Sequence, residues 1–282
     1  AVIITNIGEA HLLQLGSREA IAAAKLEIMA GLKHGGLAVY NGDEPLLTGY
    51  FADIASRDPD TLRFCFGVSD ANDFYPVATM MDEQGTYFSL HTNETIVYYI
   101  PLLGMHNVVN ALAAIAVGKY MGVIEQDIVK GLKEMRPTGM RSELIRCANG
   151  LTIVNDAYNA SPTSMRAALS MLRDMKGYKR KIVVLGDMLE LGPDEIALHL
   201  ETAADLDSSW CDAVYTYGRL AGYIAKAAEA DFPPGRVKAF ASKEEIVKEI
   251  AATAAPEDIV LVKGSRGMRL EDVVKGLQAV IF

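Results

Sequence analysis

The sequence has few cysteines, no long apolar run and no concentrated basic patch. Its three cysteines, Cys65, Cys147 and Cys211, are scattered and show no CxxC spacing. This usage is typical of a reducing cytoplasm and excludes a disulfide scaffold or a zinc site. No hydrophobic stretch approaches the ~18–20 residues of a membrane span. The chain has 27 basic and 36 acidic residues, and because of this net negative charge a nucleic-acid partner is not expected either.

Familiar catalytic motifs are missing as well. The chain contains no GxxxxGK(S/T) phosphate loop and no GxGxxG, GxSxG or HExxH. The missing GxGxxG disfavours a stand-alone dehydrogenase of the Rossmann type. The chain opens with AVIITNIGEAH, which has no initiator methionine and no signal-peptide pattern. Because these residues read as the inside of a strand, we expect a fragment of a longer protein.

What is present indicates a globular α/β protein with two domains. The chain has 282 residues, of which 50% are hydrophobic and 22% charged, and domains typically contain ~100–200 residues. We place one domain at 1–137 and the second at 138–282. RPTGM, at Arg136–Met140, brings proline and glycine together and predicts a hinge between two rigid bodies.

The first region mixes helices with two kinds of strand. AVIITNI, LAVYNGD and LRFCFGV predict buried strands, and REAIAAAKLEIMAGL predicts one helix. FYPVATMMD, TYFSLHT and ETIVYYIPL, separated by EQG and TNE, predict an antiparallel meander. The segments HNVVNALAAIAVGKYMG and EQDIVKGLKEM predict two further helices.

The second region opens with a hairpin signal at Asn149-Gly150 and then alternates apolar strands with helices. Such alternation favours a mostly parallel sheet covered by helices on both faces. Ligands of such sheets bind beyond the carboxyl ends of the strands. That edge is expected to carry Asn155-Asp156, Gly186-Asp187, Tyr217-Gly218 and Lys263-Gly264.

Lys25 and His11 are candidate metal ligands. Ile21, Lys25, Ile28 and Leu32 follow helical spacing, so Lys25 is expected within an apolar stripe. A lysine there must snorkel, pair with an anion or be modified. Carbamylation by CO2 would give it an oxygen ligand suited to Mg²⁺. His11 follows a predicted strand end, and it is either a ligand or a structural loop residue.

Other candidates lie at the starts of helices. Asn107, near a helix start, is either an N-cap or an amide that reads a purine edge. Ser161-Pro162 predicts an N-cap followed by the first helical residue. Asp156 and Asn159, just before it, are either turn residues or partners of ribose hydroxyls. The segment Lys263–Gly267 joins a strand to a helix and could cradle a carboxylate or phosphate.

Taken together, these segments resemble the Mur ligase family of ATP-dependent peptide-bond-forming enzymes. The matching segments occur in order along nearly the whole chain: TNIGEAHL, AAAKLEI, NGDEP, GMHNVVNALAA, MRSEL, NDAYNASPTSM, LGDMLELG and VKGSRGM. NDAYNASP and LGDMLELG are most similar to members that add D-alanyl-D-alanine to a UDP-N-acetylmuramoyl-tripeptide. The resemblance implies part of a central ATPase domain followed by a Rossmann-like C-terminal domain. The family's N-terminal domain, phosphate loop and upstream acidic metal ligand have no counterpart here.

The resemblance also implies roles for individual residues. His11 and carbamylated Lys25 would hold Mg²⁺, Asn107 would contact adenine, Arg141 the phosphates of ATP, and Asp156 the ribose. His11, Lys25 and Arg141 would serve catalysis. Four residues would face the incoming dipeptide or the acyl-phosphate: Tyr158, Asn159, Lys263 and Arg266.

The implied activity is phosphorylation of the tripeptide carboxylate followed by attack of the dipeptide amine. The expected partners are these two substrates, with no nucleic acid, no membrane span and no second copy of the chain, and the expected location is the cytoplasm. Alternatives are a sibling ligase that adds another amino acid, a folate-polyglutamate type ligase, or a non-catalytic module that binds a nucleotide or a partner. Because the phosphate loop is missing, we expect these residues alone to be inactive.

Overall fold

The chain forms two compact units, Ala1–Arg136 and Pro137–Phe282. The computed structural model of the protein describes residues 1–136 and 138–280. Pro137, which ends the first predicted domain and belongs to the predicted hinge, lies outside the described residues. Each unit has its own sheet structure and its own buried apolar core.

A parallel sheet forms the first part of the first unit, as predicted. Its strands, in sheet order, are β1 (Val2–Ile4), β2 (Leu37–Asn41) and β3 (Leu62–Phe66). These runs are rich in β-branched and aromatic residues, which fit a buried pleated surface. Leu37, Ala38 and Val39 are completely buried, so both faces of β2 are covered.

The antiparallel meander is also confirmed. Its strands are β4 (Pro76–Met81), β5 (Thr86–Leu90) and β6 (Asn93–Ile100). Asp82 closes the first turn, because its side chain accepts hydrogen bonds from the backbone N–H groups of Gln84 and Gly85 at 2.7 and 3.1 Å. Phe88, Leu90 and Tyr98 from this meander are buried in the core.

The helices of the first unit partly differ from the prediction. They are α1 (Leu12–Leu15), α2 (Arg18–Leu26), α3 (Pro45–Arg57), α4 (Met105–Tyr120) and α5 (Glu125–Lys133). The single helix predicted over REAIAAAKLEIMAGL is wrong, since α2 ends at Leu26 and a 3-10 helix follows over Glu27–Gly31. The tighter winding rotates the later side chains out of the predicted stripe, and Ile28 is 48% exposed.

The second unit contains one six-stranded sheet. Its strands are β7 (Glu143–Arg146), β8 (Thr152–Asp156), β9 (Lys181–Gly186), β10 (Ala213–Tyr217), β11 (Val237–Phe240) and β12 (Ile259–Lys263). The sheet order is β11-β10-β9-β12-β8-β7, and only β7 runs antiparallel to its neighbour. The β7–β8 hairpin turns at Asn149-Gly150, where Gly150 has a φ of 88° that glycine adopts readily. The predicted hairpin and mostly parallel sheet are confirmed.

Helices complete the second unit. They are α6 (Pro162–Asp174), α7 (Glu195–Thr202), α8 (Ala221–Ala228), α9 (Lys243–Thr253) and α10 (Glu271–Ala279). Ser161 caps α6, and Pro162 is the first residue of that helix, as predicted. Ser242 caps α9 through its side chain, as Ser161 does for α6. All five residues of β12 are buried, so the sheet is covered on both faces there.

None of the helices in residues 1–136 and 138–280 is long and apolar enough to cross a membrane.

Candidate functional site

The carboxyl edge of the second sheet places Asp156 beside Lys263. The two residues end the adjacent parallel strands β8 and β12 and are register partners. The Lys263 ammonium donates to Asp156 Oδ2 at 2.6 Å and to the Asn159 carbonyl at 3.0 Å. Lys263 is only 3% exposed, so this is a largely buried, charge-assisted contact. The prediction that the strand ends carry these residues at one edge is confirmed.

The second Asp156 oxygen fixes the turn that begins the second unit. Asp156 Oδ1 accepts a hydrogen bond from the Ser142 backbone N–H at 3.0 Å. Ser142 and Met140 have φ values of 49° and 60°, which L residues adopt at a cost. The Tyr158 N–H donates to the Met140 carbonyl at 3.2 Å. The MRSEL turn is therefore held against the end of β8 from two sides.

Two exposed arginines lie at this turn. The guanidinium of Arg141 sits 4.2 Å from the centroid of the Tyr158 ring, a cation–π contact. Arg266 Nη1 donates to Glu271 Oε1 at 2.9 Å and contacts Met140 Sδ at 3.5 Å. The structure thus brings the predicted residues Arg141, Tyr158 and Arg266 to one place with Asp156 and Lys263, and leaves two cationic groups open to solvent.

The LGDMLELG loop follows β9 at the same edge and is held by Asp187, Ser265 and His199. Of these, only His199 lies outside the segments that the sequence predicts at this edge. Asp187 is buried, and its Oδ1 accepts from the Ala221 N–H at 2.6 Å. The Leu189 N–H donates to Ser265 Oγ at 2.8 Å, which ties the loop to the segment after β12. The Met188 N–H donates to His199 Nε2 at 2.9 Å.

His199 is fully buried and uses both ring nitrogens. Because Nε2 accepts from Met188, Nδ1 carries the proton and donates to the Glu195 carbonyl at 2.6 Å. Burial lowers the pKa of His199, although the Glu195 carbonyl and nearby carboxylates oppose this shift. The neutral imidazole is therefore a structural support for the loop.

No apolar pattern could have revealed His199. In α7 the buried side chains are His199 and Thr202. Ile196 and Leu200 of the same helix are 38% and 42% exposed. Hydrophobic periodicity therefore points away from the side of the helix that packs.

In the first unit, Lys25 reaches the end of β1. Its ammonium donates to the Asn6 carbonyl at 2.8 Å and lies 3.4 Å from Asn6 Oδ1. The prediction that Lys25 lies in a buried apolar stripe is wrong, because its side chain is largely exposed. Desolvation of the ammonium still lowers the pKa of Lys25, and the Glu44 carboxylate opposes that shift.

His11 directly precedes α1 with a φ of 64°. This left-handed conformation is uncommon for a non-glycine residue and marks a sharp change of direction after β1. Among residues 1–136 and 138–280, no three His, Cys, Asp or Glu side chains form a metal-binding group.

Asn107 is not the N-cap of its helix. Gly104 occupies that position with a φ of 92°, because α4 begins at Met105. Asn107 lies in the first turn, where its Nδ2 donates to the Leu103 carbonyl at 2.9 Å. The amide Nδ2 also lies 3.1 Å from His106 Nε2. Its side chain is half-buried.

Comparison with known families identifies the class. The model of the Mur ligase middle domain matches residues 1–118, and that of the Mur ligase glutamate ligase domain matches residues 140–266. The chain belongs to the Mur ligase family.

Within this family, two similar proteins share one name. A Bacillus subtilis protein named UDP-N-acetylmuramoyl-tripeptide–D-alanyl-D-alanine ligase is 45% identical over 277 residues, which cover 98% of this chain and 59% of the relative. The protein of the same name from Escherichia coli is 32% identical and covers 99% of this chain. The chain thus spans about three fifths of these relatives.

Solved structures confirm the predicted fold class. A MurF structure from Acinetobacter baumannii superposes with a TM-score of 0.83 at 30% identity, over 98% of this chain and 59% of that one. MurF from Thermotoga maritima, solved in complex with ADP, superposes with a TM-score of 0.82 at 24% identity. At that identity the second comparison supports the fold alone.

Proposed function

We propose that this chain is part of an ATP-dependent ligase that adds D-alanyl-D-alanine to UDP-N-acetylmuramoyl-tripeptide in peptidoglycan precursor synthesis. The observation that carries the proposal is the 45% identity with the Bacillus subtilis ligase over 98% of the chain. Residues 1–137 would be the C-terminal part of the ATP-binding domain, and 138–282 the C-terminal ligase domain. The ligase would work in the cytoplasm as a monomer.

The reaction must turn a poor electrophile into a good one. Transfer of the γ-phosphoryl group of ATP to the terminal carboxylate of the tripeptide gives an acyl-phosphate and ADP. The dipeptide amine then attacks the acyl carbon, forms the amide bond and displaces phosphate. Negative charge accumulates on the transferring phosphoryl group, so cationic side chains nearby lower the barrier.

Arg141 and Asp156 would bind the nucleotide. The Arg141 guanidinium is exposed and held against Tyr158, so it is oriented and still free to meet phosphate oxygens. Each Asp156 carboxylate oxygen has a second lone pair beyond the one that Lys263 or Ser142 uses. A ribose hydroxyl could therefore donate to Asp156 without breaking either contact. Asn107 would contact adenine.

Magnesium would be held by His11 and carbamylated Lys25. A lowered pKa favours the neutral amine of Lys25 that reacts with CO2, and the resulting carbamate is carboxylate-like. Mg²⁺ in nucleotide sites usually takes one or two carboxylates, with phosphates and water completing the octahedron, so these two residues fit as a partial set. When bound, the ion would offset phosphate charge.

Tyr158, Asn159 and Arg266 would contact the dipeptide or the acyl-phosphate, because all three side chains are exposed at the carboxyl edge. Lys263 is too buried to reach a substrate freely. We assign it a positioning role, in which its ammonium holds the Asp156 carboxylate and the Asn159 backbone.

A chimera tests the proposal. The 282 residues would replace the matching 59% of the Bacillus subtilis relative, and phosphate release would be measured with ATP, Mg²⁺, the UDP-tripeptide and a panel of acceptors. We expect turnover that depends on D-alanyl-D-alanine. Turnover with a diamino acid or glutamate instead would indicate a sibling ligase. Calorimetric binding of Mg·ATP without turnover would indicate a binding module.

A further inference from the structure

A cavity of about 200 Å³ opens at the amino edge of the second sheet, opposite the edge that carries Asp156 and Lys263. Arg180, Asp212 and Arg236 line it, and each directly precedes a strand of the parallel sheet. Glu249 and Thr253 of α9 complete the polar wall, while Tyr215 and Ile182 supply an apolar floor. The reaction proposed above uses none of these residues.

Arg180 is a fixed guanidinium with one free edge. Its Nε and Nη2 both donate to Asp258, at distances from 2.6 to 3.3 Å, and Nη2 also donates to the Thr253 carbonyl. Asp258 is completely buried, so the carboxylate holds the guanidinium plane in one orientation. Arg180 Nη1 makes no hydrogen bond within residues 1–136 and 138–280, and its two N–H groups remain available.

The other charged side chains of the cavity form no direct ion pairs with one another in the part of the chain that the structure describes. Glu249 is paired with Lys238 at 2.7 Å. Arg236 is exposed and forms no ion pair or side-chain hydrogen bond in the part of the chain that the structure describes. The Asp212 carboxylate accepts the Lys181 backbone N–H at 2.8 Å. It interacts electrostatically with the Arg180 and Lys181 cations, but it forms no direct ion pair in the part of the chain that the structure describes. The cavity thus offers guanidinium N–H donors and a carboxylate that is not engaged in a direct ion pair.

We propose that this cavity binds a small zwitterion, namely a free amino acid or a comparably small molecule with one carboxylate and one ammonium group. The ligand carboxylate would lie between Arg180 Nη1 and Arg236, and its ammonium would meet Asp212. A short side chain would rest on Tyr215 and Ile182.

The size and the charges of the cavity favour a small zwitterion over a nucleotide, a simple anion or a simple cation. The volume is below the ~300–1,000 Å³ of sites for drug-sized ligands, so a nucleotide does not fit. A simple anion would bring its charge close to Asp212 and gain nothing from it. A simple cation would leave both arginines unused. Only a ligand with both charges satisfies both walls.

Isothermal titration of the 282-residue chain with alanine of either chirality, propionate, ethylamine and inorganic phosphate tests the assignment. Propionate and ethylamine each carry one half of alanine's charge pattern. We expect alanine to bind, and the single-charge probes and phosphate to bind at least about tenfold more weakly, as loss of one charge-assisted hydrogen bond predicts. No alanine binding at millimolar concentration, or equal binding of propionate or phosphate, would overturn the proposal.

Variants locate the site. Arg236→Gln and Asp212→Asn should each weaken alanine binding about tenfold or more, while Arg166→Gln, an exposed arginine outside the cavity, should leave it unchanged. Because the Arg236 side chain is exposed and makes no ion pair or side-chain hydrogen bond among the described residues, the Arg236→Gln variant should remain folded, which circular dichroism can verify. Unaltered binding in both cavity variants would mean that alanine binds elsewhere and would overturn the assignment.

Discussion

At the scale of single residues, the Asp156–Lys263 pair is a largely buried support of the proposed nucleotide site. Taking both charges out of water is costly, and their attraction offsets that cost only when the remaining donors and acceptors are also satisfied. Here the Asn159 carbonyl accepts a second N–H of Lys263, and the Ser142 N–H meets the other oxygen of Asp156. The pair therefore fixes the end of β8, the MRSEL turn and the start of the NASP segment relative to one another.

Removing one charged partner of this pair should strongly destabilise the second unit. We expect Lys263→Met to lower the free energy of unfolding by about 3–5 kcal/mol, because it leaves the Asp156 carboxylate uncompensated. Asp156→Asn with Lys263→Met should recover part of that loss. Urea unfolding followed by circular dichroism measures both, and Lys275→Met, an exposed lysine of α10, is the control. A loss no larger than that of the control would contradict the role given to the pair.

Lys25 is the residue on which the proposed metal site depends. In the chimera, Lys25→Ala should remove most turnover, because it removes the oxygen ligand that a carbamate would provide. Short-chain carboxylates should restore activity in part by occupying the same position. Phosphate release is the measurement, and Lys33→Ala, an exposed lysine nearby in sequence, is the control. Near-normal turnover of the Lys25 variant would show that the metal assignment is wrong.

At the scale of elements, the sequence predicts the strands better than the helix faces. β8, β9, β10 and β12 are apolar runs closed by polar residues or glycine, and because they are parallel their polar ends necessarily meet at one edge. Nothing comparable constrains α7, whose buried face carries a histidine and a threonine.

In the candidate site, too, some residues could be predicted from local sequence patterns and others could not. Asp156, Lys263 and Arg266 could be predicted because strand ends and helix starts have local signals, whereas Tyr158 followed only from the family resemblance. Asp187 and the segment that contains Ser265 could be placed at this edge, but their contacts and the role of His199 could not be predicted, since these depend on segments far apart in sequence. α4 begins one residue before its predicted start, and its N-cap Gly104 has a φ of 92°, a conformation that no pattern of apolar residues encodes.

The buried His199 of α7 should make the free energy of unfolding depend on pH. Unfolded, His199 has an ordinary pKa of about 6.5, and burial lowers the folded value. The unfolded state therefore binds more protons in mild acid, and stability falls as pH drops below about 6.5, by at most about 1.4 kcal/mol per pH unit from this group. Stability is retained above that range, where both states are neutral.

Unfolding by urea between pH 7 and pH 5 measures this dependence. His199→Gln should be less stable at pH 7 but should lose stability less steeply toward pH 5. His34→Gln, whose parent side chain is 81% exposed, should keep the slope of the unmodified chain. An unchanged slope in the His199 variant would contradict the assignment of a buried neutral imidazole.

At the scale of the whole molecule, each unit has an apolar core large enough to support its own sheets. Leu112, Ile115 and Phe66 belong to the first core, and Ile153, Val260 and Val273 to the second. The chain nevertheless spans only about 59% of the curated relatives, and its 282 residues contain no GxxxxGK(S/T) sequence. The residues needed for folding are therefore present in this sequence, whereas a phosphate loop needed for catalysis is not.

We expect the 282-residue chain on its own to fold but not to catalyse ligation. A phosphate loop supplies a row of backbone N–H donors and a lysine to the β- and γ-phosphates, and nothing in this sequence takes their place. If each missing charge-assisted contact contributes about 1.5–3 kcal/mol, the affinity for Mg·ATP should fall by several orders of magnitude. Phosphate release with ATP, the UDP-tripeptide and D-alanyl-D-alanine should stay at background for the chain alone and rise for the chimera. Turnover of the chain alone at the rate of the chimera would mean that the phosphates bind to residues within this sequence that have not been identified.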